Sequence, residues 1–291
     1  MADLTGHEPT IRSASRLNKP INAQRPIVDQ PLIHFQGNSM KPIYKLLLTL
    51  APVALLAACG GSDDAEDRLD IAKPVLRFVH ASPLAPSVTL FRADIAQPQA
   101  TGVAYKFASN YFDVSQGAAG YSVKTATGNI TVGTATLDTS RGNKYTIVAL
   151  PSSNTDNSIY LITDPFNKSL TSDKAKLRLM NAAFNASNID LYLNPVGTDI
   201  SAAAVTPTIA ATAYKTSGPV SGSDSLDISG GTYQLTLTTA GSKTALFRGN
   251  LVIENNKDLL LLTVPDSILP GAIKTLIKIE GVAGTAEVPA L

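Results

Sequence analysis

Short runs of alternating apolar and polar residues dominate the chain from about residue 74 onward. In YQLTLTT (233–239) the apolar residues occupy every second position, as in a strand with one buried face. Similar runs are bounded by Gly, Pro, Asn or Ser, and no long stretch has a helical period. The run LLLLTVP (259–265) does not alternate, which predicts a strand buried on both faces.

This pattern recurs, which predicts two copies of one unit. LRFVHASPLAPSVTLF (76–91) resembles LRLMNAAFNASNIDLY (177–192), and GNKYTIVALP (142–151) resembles NNKDLLLLTVP (255–265). The order is the same in both copies, with an insertion near SAAAVTPT in the second. The sequence therefore predicts an all-β protein with two tandem immunoglobulin-like antiparallel β-sandwich domains, over residues 74–168 and 174–291. Small barrels are the alternative.

The first unit carries a motif that resembles a known family, the bacterial extracytoplasmic module DUF4397, whose function is undefined. In that family a HASP-type motif closes the first strand, and here it reads His80-Ala81-Ser82-Pro83. The second unit has NAAF (181–184) instead, so a role tied to the motif does not extend to it. The resemblance covers most of residues 74–265 and implies tandem DUF4397 domains.

An apolar segment precedes these units. MKPIYKLLLTLAPVALLAAC (40–59) has two lysines, an apolar run and small residues at its end, as an export signal does. The run is too short for a membrane-spanning helix. We therefore interpret residues 40–58 as a signal peptide. Residues 1–39 are either an over-extended start or a disordered leader.

The end of this segment resembles the lipobox of bacterial lipoproteins, through Leu56, Ala57, Ala58 and Cys59. The resemblance implies that the Cys59 sulfur carries a diacylglycerol, that the chain is cut before Cys59, and that fatty acid such as palmitate anchors it. Gly60 follows the cysteine, which favours the outer membrane over the inner membrane. Residues 59–73 read as an acidic, flexible tether to the cell envelope and periplasm.

Composition excludes several classes of function. The formal charge is +1, which gives no basis for binding nucleic acid. One cysteine excludes an internal disulfide framework, and the three histidines are too scattered for a zinc pattern. We therefore predict no metal and no cofactor.

His80 is the most conspicuous candidate for chemistry. Strand parity places it on the face of Leu76 and Phe78, with Arg77 and Val79 on the other. A polar group at the end of an apolar face usually bonds turn backbone, so a structural role is favoured and no catalytic residue is predicted.

We expect a non-catalytic binding, adhesion or scaffold protein, held to the membrane through lipid on Cys59 and contacting an envelope protein or polysaccharide. One alternative is an envelope hydrolase that acts on polysaccharide or peptidoglycan, using His80 or two of the carboxylates Asp94, Asp113, Asp190 and Asp227. The other is a carrier of a small apolar ligand.

Overall fold

The computed structural model describes residues 73–83, 85–150, 159–165 and 172–291. Their regular structure is almost entirely β, apart from one short 3₁₀ turn at Pro98–Ala100. The predicted all-β sandwich class is confirmed. We refer to residues 73–165 as the first half and to residues 172–291 as the second half. In these ranges no helix is both long enough and apolar enough to cross a bilayer.

Eight strands lie in the described part of the first half. They are β1 (Val75–His80), β2 (Val88–Arg92), β3 (Ile95–Ala96), β4 (Phe112–Asp113), β5 (Gly117–Thr125), β6 (Thr131–Thr139), β7 (Asn143–Ala149) and β8 (Ile159–Pro165).

Ten strands form the second half. They are β9 (Lys174–Asn181), β10 (Ile189–Pro195), β11 (Ile209–Thr212), β12 (Thr216–Gly218), β13 (Leu226–Ser229), β14 (Gly231–Thr239), β15 (Ala245–Ile253), β16 (Asp258–Pro265), β17 (Ile273–Ile279) and β18 (Ala286–Glu287).

Each half contains two sheets. In the first half, outer sheet 1 has the order β3-β2-β5-β6 and inner sheet 1 has the order β4-β1-β7-β8. In the second half, outer sheet 2 has the order β11-β10-β14-β15, and inner sheet 2 has the order β12-β9-β16-β17-β18 with β13 also beside β9. The strand order of the first half is therefore repeated in the second.

The predicted antiparallel build has one exception in each inner sheet. β1 runs parallel to β7, and β9 runs parallel to β16. The chain leaves β1, passes through the outer sheet, and returns beside β1 in the same direction. A parallel pair requires such a long crossover, and a repeated alternating pattern does not distinguish it from a hairpin.

A separate apolar core fills each sandwich. The first contains Leu76 and Phe78 of β1 with Leu90 and Val123 of the outer sheet. The second is lined by the matching strands β9, β10, β14 and β16. Alternate residues of β1 and β9 point into these cores because successive side chains of a strand face opposite sides of the sheet.

A third apolar cluster joins the two inner sheets face to face. It combines Val79, Val148 and Ile162 of inner sheet 1 with residues of inner sheet 2, including Met180, Leu260, Leu262, Val264 and Leu276. All eight residues of β16 are buried. The prediction that residues 259–265 form a strand buried on both faces is confirmed, and inner sheet 1 covers its second face.

The two inner sheets are aligned so that matching strands start at the same end of the molecule. Lys144, near the start of β7, forms an ion pair with Asp258, the first residue of β16. Beyond the other end of β1, Lys106 bonds Glu287 at 2.6 Å, and its backbone N–H donates to the His80 carbonyl. The end that holds the starts of β1, β7, β9 and β16 is called the proximal end, and the opposite end is called the distal end.

Candidate functional site

His80 closes β1 at the distal end, where it is fully buried. Its Nε2 lies 3.2 Å from the Pro86 carbonyl oxygen, and its Nδ1 accepts a hydrogen bond from the Ser82 N–H at 3.3 Å. An imidazole that donates from Nε2 and accepts at Nδ1 is neutral. The ring therefore holds the turn after β1, and both of its nitrogens are occupied by backbone.

Asn181 occupies the matching position at the end of β9. Its Oδ1 accepts from the Ala183 N–H at 3.1 Å, and its Nδ2 lies 3.4 Å from the Ser187 carbonyl and 3.1 Å from the Thr212 carbonyl. These contacts reproduce those of His80, with a backbone N–H donor two residues further along the chain and a backbone carbonyl acceptor six residues further along. A neutral imidazole and an amide each offer one donor side and one acceptor side, so both residues can close the same turn.

Burial lowers the pKa of His80 below its usual value of 6.5, and the bond to the Pro86 carbonyl only partly opposes this. Below about pH 6.5 the unfolded chain binds a proton that the folded chain resists. The contribution of His80 to stability is therefore fully present above this pH and falls as the pH decreases below it.

We expect His80→Asn to cost only about 1–2 kcal/mol of unfolding free energy, because asparagine makes the same bonds in the second half. The acid-dependent loss of stability between pH 7 and 5 should decrease in this variant. Urea unfolding at several pH values measures both effects. The control His80→Leu, which neither donates nor accepts, should cost more by about 1–3 kcal/mol; equal losses in both variants would contradict the capping role.

A second feature of the distal end is the hairpin between β16 and β17, residues 266–272, which we call the distal tip. Ile268 and Leu269 are 76% and 65% exposed. Asn185, in the turn after β9, donates from its Nδ2 to the carbonyls of Ser267 (2.9 Å), Leu269 (2.6 Å) and Ala272 (3.0 Å). One amide therefore fixes the hairpin that exposes two aliphatic side chains.

Asp266 and Lys274 form an ion pair of 3.2 Å at the base of the distal tip. The tip is thus apolar at its end and locally neutral at its base. Sequence analysis missed this feature. The sequence does contain a signal for it. In SILPGA (267–272) two adjacent aliphatic residues precede a Pro-Gly turn and do not belong to an alternating strand pattern.

An open apolar groove runs between the sheet edges formed by β11 and β12. It is lined mainly by alanine, threonine and the aliphatic residues Ile209, Val220 and Leu226. The groove is open to solvent, so it is not the enclosed apolar cavity that the carrier alternative requires.

Comparison with protein families gives one match. A family model described as DUF4397, a domain of unknown function, matches residues 74–192. This part of the chain is a DUF4397 domain. No curated protein matches the chain.

The DUF4397 match includes the first sandwich and continues through β9 into β10. It therefore contains His80, Ala81, Ser82 and Pro83 and also Asn181. Ala81 is buried in the cluster between the inner sheets, and Ser82 supplies the N–H that His80 accepts. The match ends at residue 192 rather than near residue 265, so the predicted domain boundaries and the second DUF4397 domain stay predictions.

The carboxylates considered for a hydrolase each have a different partner. Asp94 pairs with Lys124, Asp113 with Lys73, and Asp227 with Lys176. Asp190 is buried and accepts from the N–H groups of residues 211 and 241 at 2.7 and 2.8 Å. The structure does not bring two of them together at a shared cleft in the described ranges.

The lipidation residues Leu56, Ala57, Ala58 and Cys59 lie outside the described residues, as do the signal peptide, the segment 1–39 and all but the last residue of the tether. The described chain begins at Lys73, next to the start of β1. Among the described residues, no group of three or more histidine, cysteine, aspartate or glutamate side chains could hold a metal ion.

A charged cluster lies between the inner sheets, within the interface between the first half and the second half. It contains the buried cations Arg77, Lys144, Arg178 and Lys278, and the carboxylates Asp164 and Asp258. Sequence analysis placed Arg77 on the face opposite the core but did not foresee that a second sheet covers this face.

Proposed function

We propose that this protein is a lipid-anchored binding protein of the bacterial cell envelope. In this proposal, two tandem DUF4397-like sandwiches stand on the Cys59 anchor and contact an envelope protein or polysaccharide through the distal tip. The repeated strand order and the matching His80 and Asn181 turns support the tandem domains. The lipobox resemblance supports the anchor, and it favours the outer membrane.

The distal tip is the observation on which the binding role depends. A surface that binds by shape needs apolar groups held in one conformation, because ordering a mobile loop on binding costs free energy. Ile268 and Leu269 are exposed, and the three carbonyl contacts of Asn185 order the backbone around them.

The position of the tip also favours a binding role. The tether enters at the proximal end, where Lys73 precedes β1. β16 starts at the same end and extends for eight residues, so the distal tip lies about 25 Å from that end. The two exposed aliphatic residues therefore lie at the end of the molecule opposite Lys73, where the described chain begins.

A non-catalytic role is favoured over the hydrolase by the state of His80. An imidazole that is buried, neutral and bonded to backbone on both sides is poorly placed to exchange protons with a substrate. Each of the four candidate carboxylates already has its own partner. Three form ion pairs on the surface, and the fourth, Asp190, is buried in the second sandwich and accepts from backbone N–H groups.

Site-specific photocrosslinking in intact cells tests the binding role. A benzophenone amino acid in place of Ile268 should give a discrete crosslinked product that contains protein or polysaccharide. The control is the same substitution at Ile95, which is 69% exposed and follows β2 toward the proximal end. The product should disappear when Leu269→Ser is added, because this change removes the remaining exposed aliphatic side chain of the tip and with it the apolar contact to the partner. Equal products from both positions, or a phospholipid adduct alone, would contradict this function.

A further inference from the structure

We propose that the interface between the inner sheets contains a binding site for one small monovalent anion of the halide type, held by Arg77 and Arg178. The site is a nearly enclosed polar cavity between the two halves. Its lining includes the two arginines, Tyr111, Thr146 and Ser225. The cavity has room for about one water molecule, so it accepts a single atom or ion rather than a phosphate or an organic acid.

Charge is the first argument for an anion. Lys144 is paired with Asp258, and Arg178 lies 3.2 Å from Asp164 while also donating to three backbone carbonyls. Lys278 donates to the Asn110 side chain and to the Val282 carbonyl.

Arg77 differs from Lys144 and Arg178 in its partners, and from Lys278 in that it lines the cavity. It is 5% exposed, its Nε donates to the Thr146 hydroxyl at 3.3 Å, and its guanidinium lies 4.6 Å from the centre of the Tyr111 ring. It has no carboxylate partner among the described residues. A buried charge without a counter-charge is costly, and a bound anion removes that cost.

Unfilled hydrogen-bonding capacity is the second argument. The Nε of Arg178 is buried without an acceptor among the described residues. Arg178 is 2% exposed and lines the same cavity as Arg77. Because guanidinium groups donate and never accept, a particle that serves both arginines must be an acceptor. A water oxygen and a halide both accept, and the buried charge of Arg77 favours the halide because only an anion compensates it.

The symmetry of the two halves explains why the arginines meet. Arg77 is the third residue of β1 and lies opposite residue 146 of β7; Arg178 holds the corresponding place in β9, opposite residue 260 of β16. Since the matching inner sheets face each other, equivalent side chains converge at the interface. The carboxylates of Asp164 and Asp258 also line the cavity, but each is already paired with a cation.

Crystals of the mature protein grown in bromide test the site directly. We expect one anomalous peak in the cavity, within hydrogen-bonding distance of both arginines. In solution, each tenfold increase in chloride or bromide at constant ionic strength, balanced with gluconate, should raise the melting temperature by about 3–5 °C. Gluconate is too large to enter the cavity.

The matched variants are Arg77→Met and Arg92→Met. Arg77→Met removes the uncompensated cation and should abolish the halide response. Arg92 lies in outer sheet 1, where it bonds the Tyr121 hydroxyl at 3.0 Å and the Ser115 carbonyl, and its variant should keep the response. If Arg77→Met does not fold, the anomalous signal in bromide-grown crystals of the unchanged protein is sufficient to test the proposal. A water molecule in the cavity with no anomalous signal, or a halide response that survives Arg77→Met, would overturn the proposal.

Discussion

Replacing Asp258 by alanine should destabilise the protein by about 3–5 kcal/mol, because it leaves the buried Lys144 ammonium without its carboxylate. The two side chains are 9% and 4% exposed. Burial alone would lower the pKa of Lys144, but Asp258, with smaller contributions from Tyr111 and Asp164, more than offsets this and keeps the pKa above its usual value. Chemical denaturation at pH 7 measures the loss.

The matched control for this variant is Asp227→Ala. Asp227 pairs with Lys176 at 3.1 Å but is 57% exposed, so its removal should cost less than about 1 kcal/mol. The double variant Lys144→Met/Asp258→Leu should recover most of the stability, because an apolar pair of similar volume carries no desolvation cost. A small effect of Asp258→Ala, or no recovery in the double variant, would contradict a desolvated pair.

Replacing Cys59 by serine should abolish labelling by a palmitate analogue and release the protein from the membrane fraction. Each buried methylene contributes about 0.8 kcal/mol to membrane binding, and two or more chains hold a protein stably. Cys59 is the only cysteine in the sequence, so no other thiol can take its place. Metabolic labelling followed by membrane fractionation measures both effects.

Ser62→Ala provides the control for the anchor, since it changes the same segment without touching the thiol. This variant should be labelled and sedimented like the unchanged protein. Persistent labelling of the Cys59→Ser protein, or an amino terminus other than Cys59 in the purified mature product, would show that the lipoprotein interpretation is wrong.

The strands and their faces could be predicted from the sequence, because side-chain alternation reports burial directly. The alternation in 233–239 predicted the strand β14 but not the burial of Thr236 and Thr238 on its polar face, and the uninterrupted run 259–265 predicted the doubly buried β16. The repeat predicted the matching strand order of the two halves. Parity also placed His80 on the core side of β1, where the structure has it.

Strand partners and sheet partners could not be predicted in the same way. A periodic run shows that a face is buried but not what covers it, so the parallel pairs and the contact between the inner sheets were not foreseen. Arg77 and Lys278 are examples, since charged side chains on a strand usually indicate a solvated face. The distal tip was missed for the opposite reason, because apolar residues in a turn are usually read as part of the core.

Under the proposed anchoring through Cys59, the parallel pairing of β1 with β7 has a mechanical consequence. Six residue pairs join the two strands. A force that pulls on the anchor while the distal end is held acts along β1 and loads these backbone bonds together, in shear. An antiparallel hairpin pulled from its open end would instead lose its bonds one after another. In the proposed anchored protein, the six pairs between β1 and β7 are therefore the first strand connection after Lys73 that such a force loads.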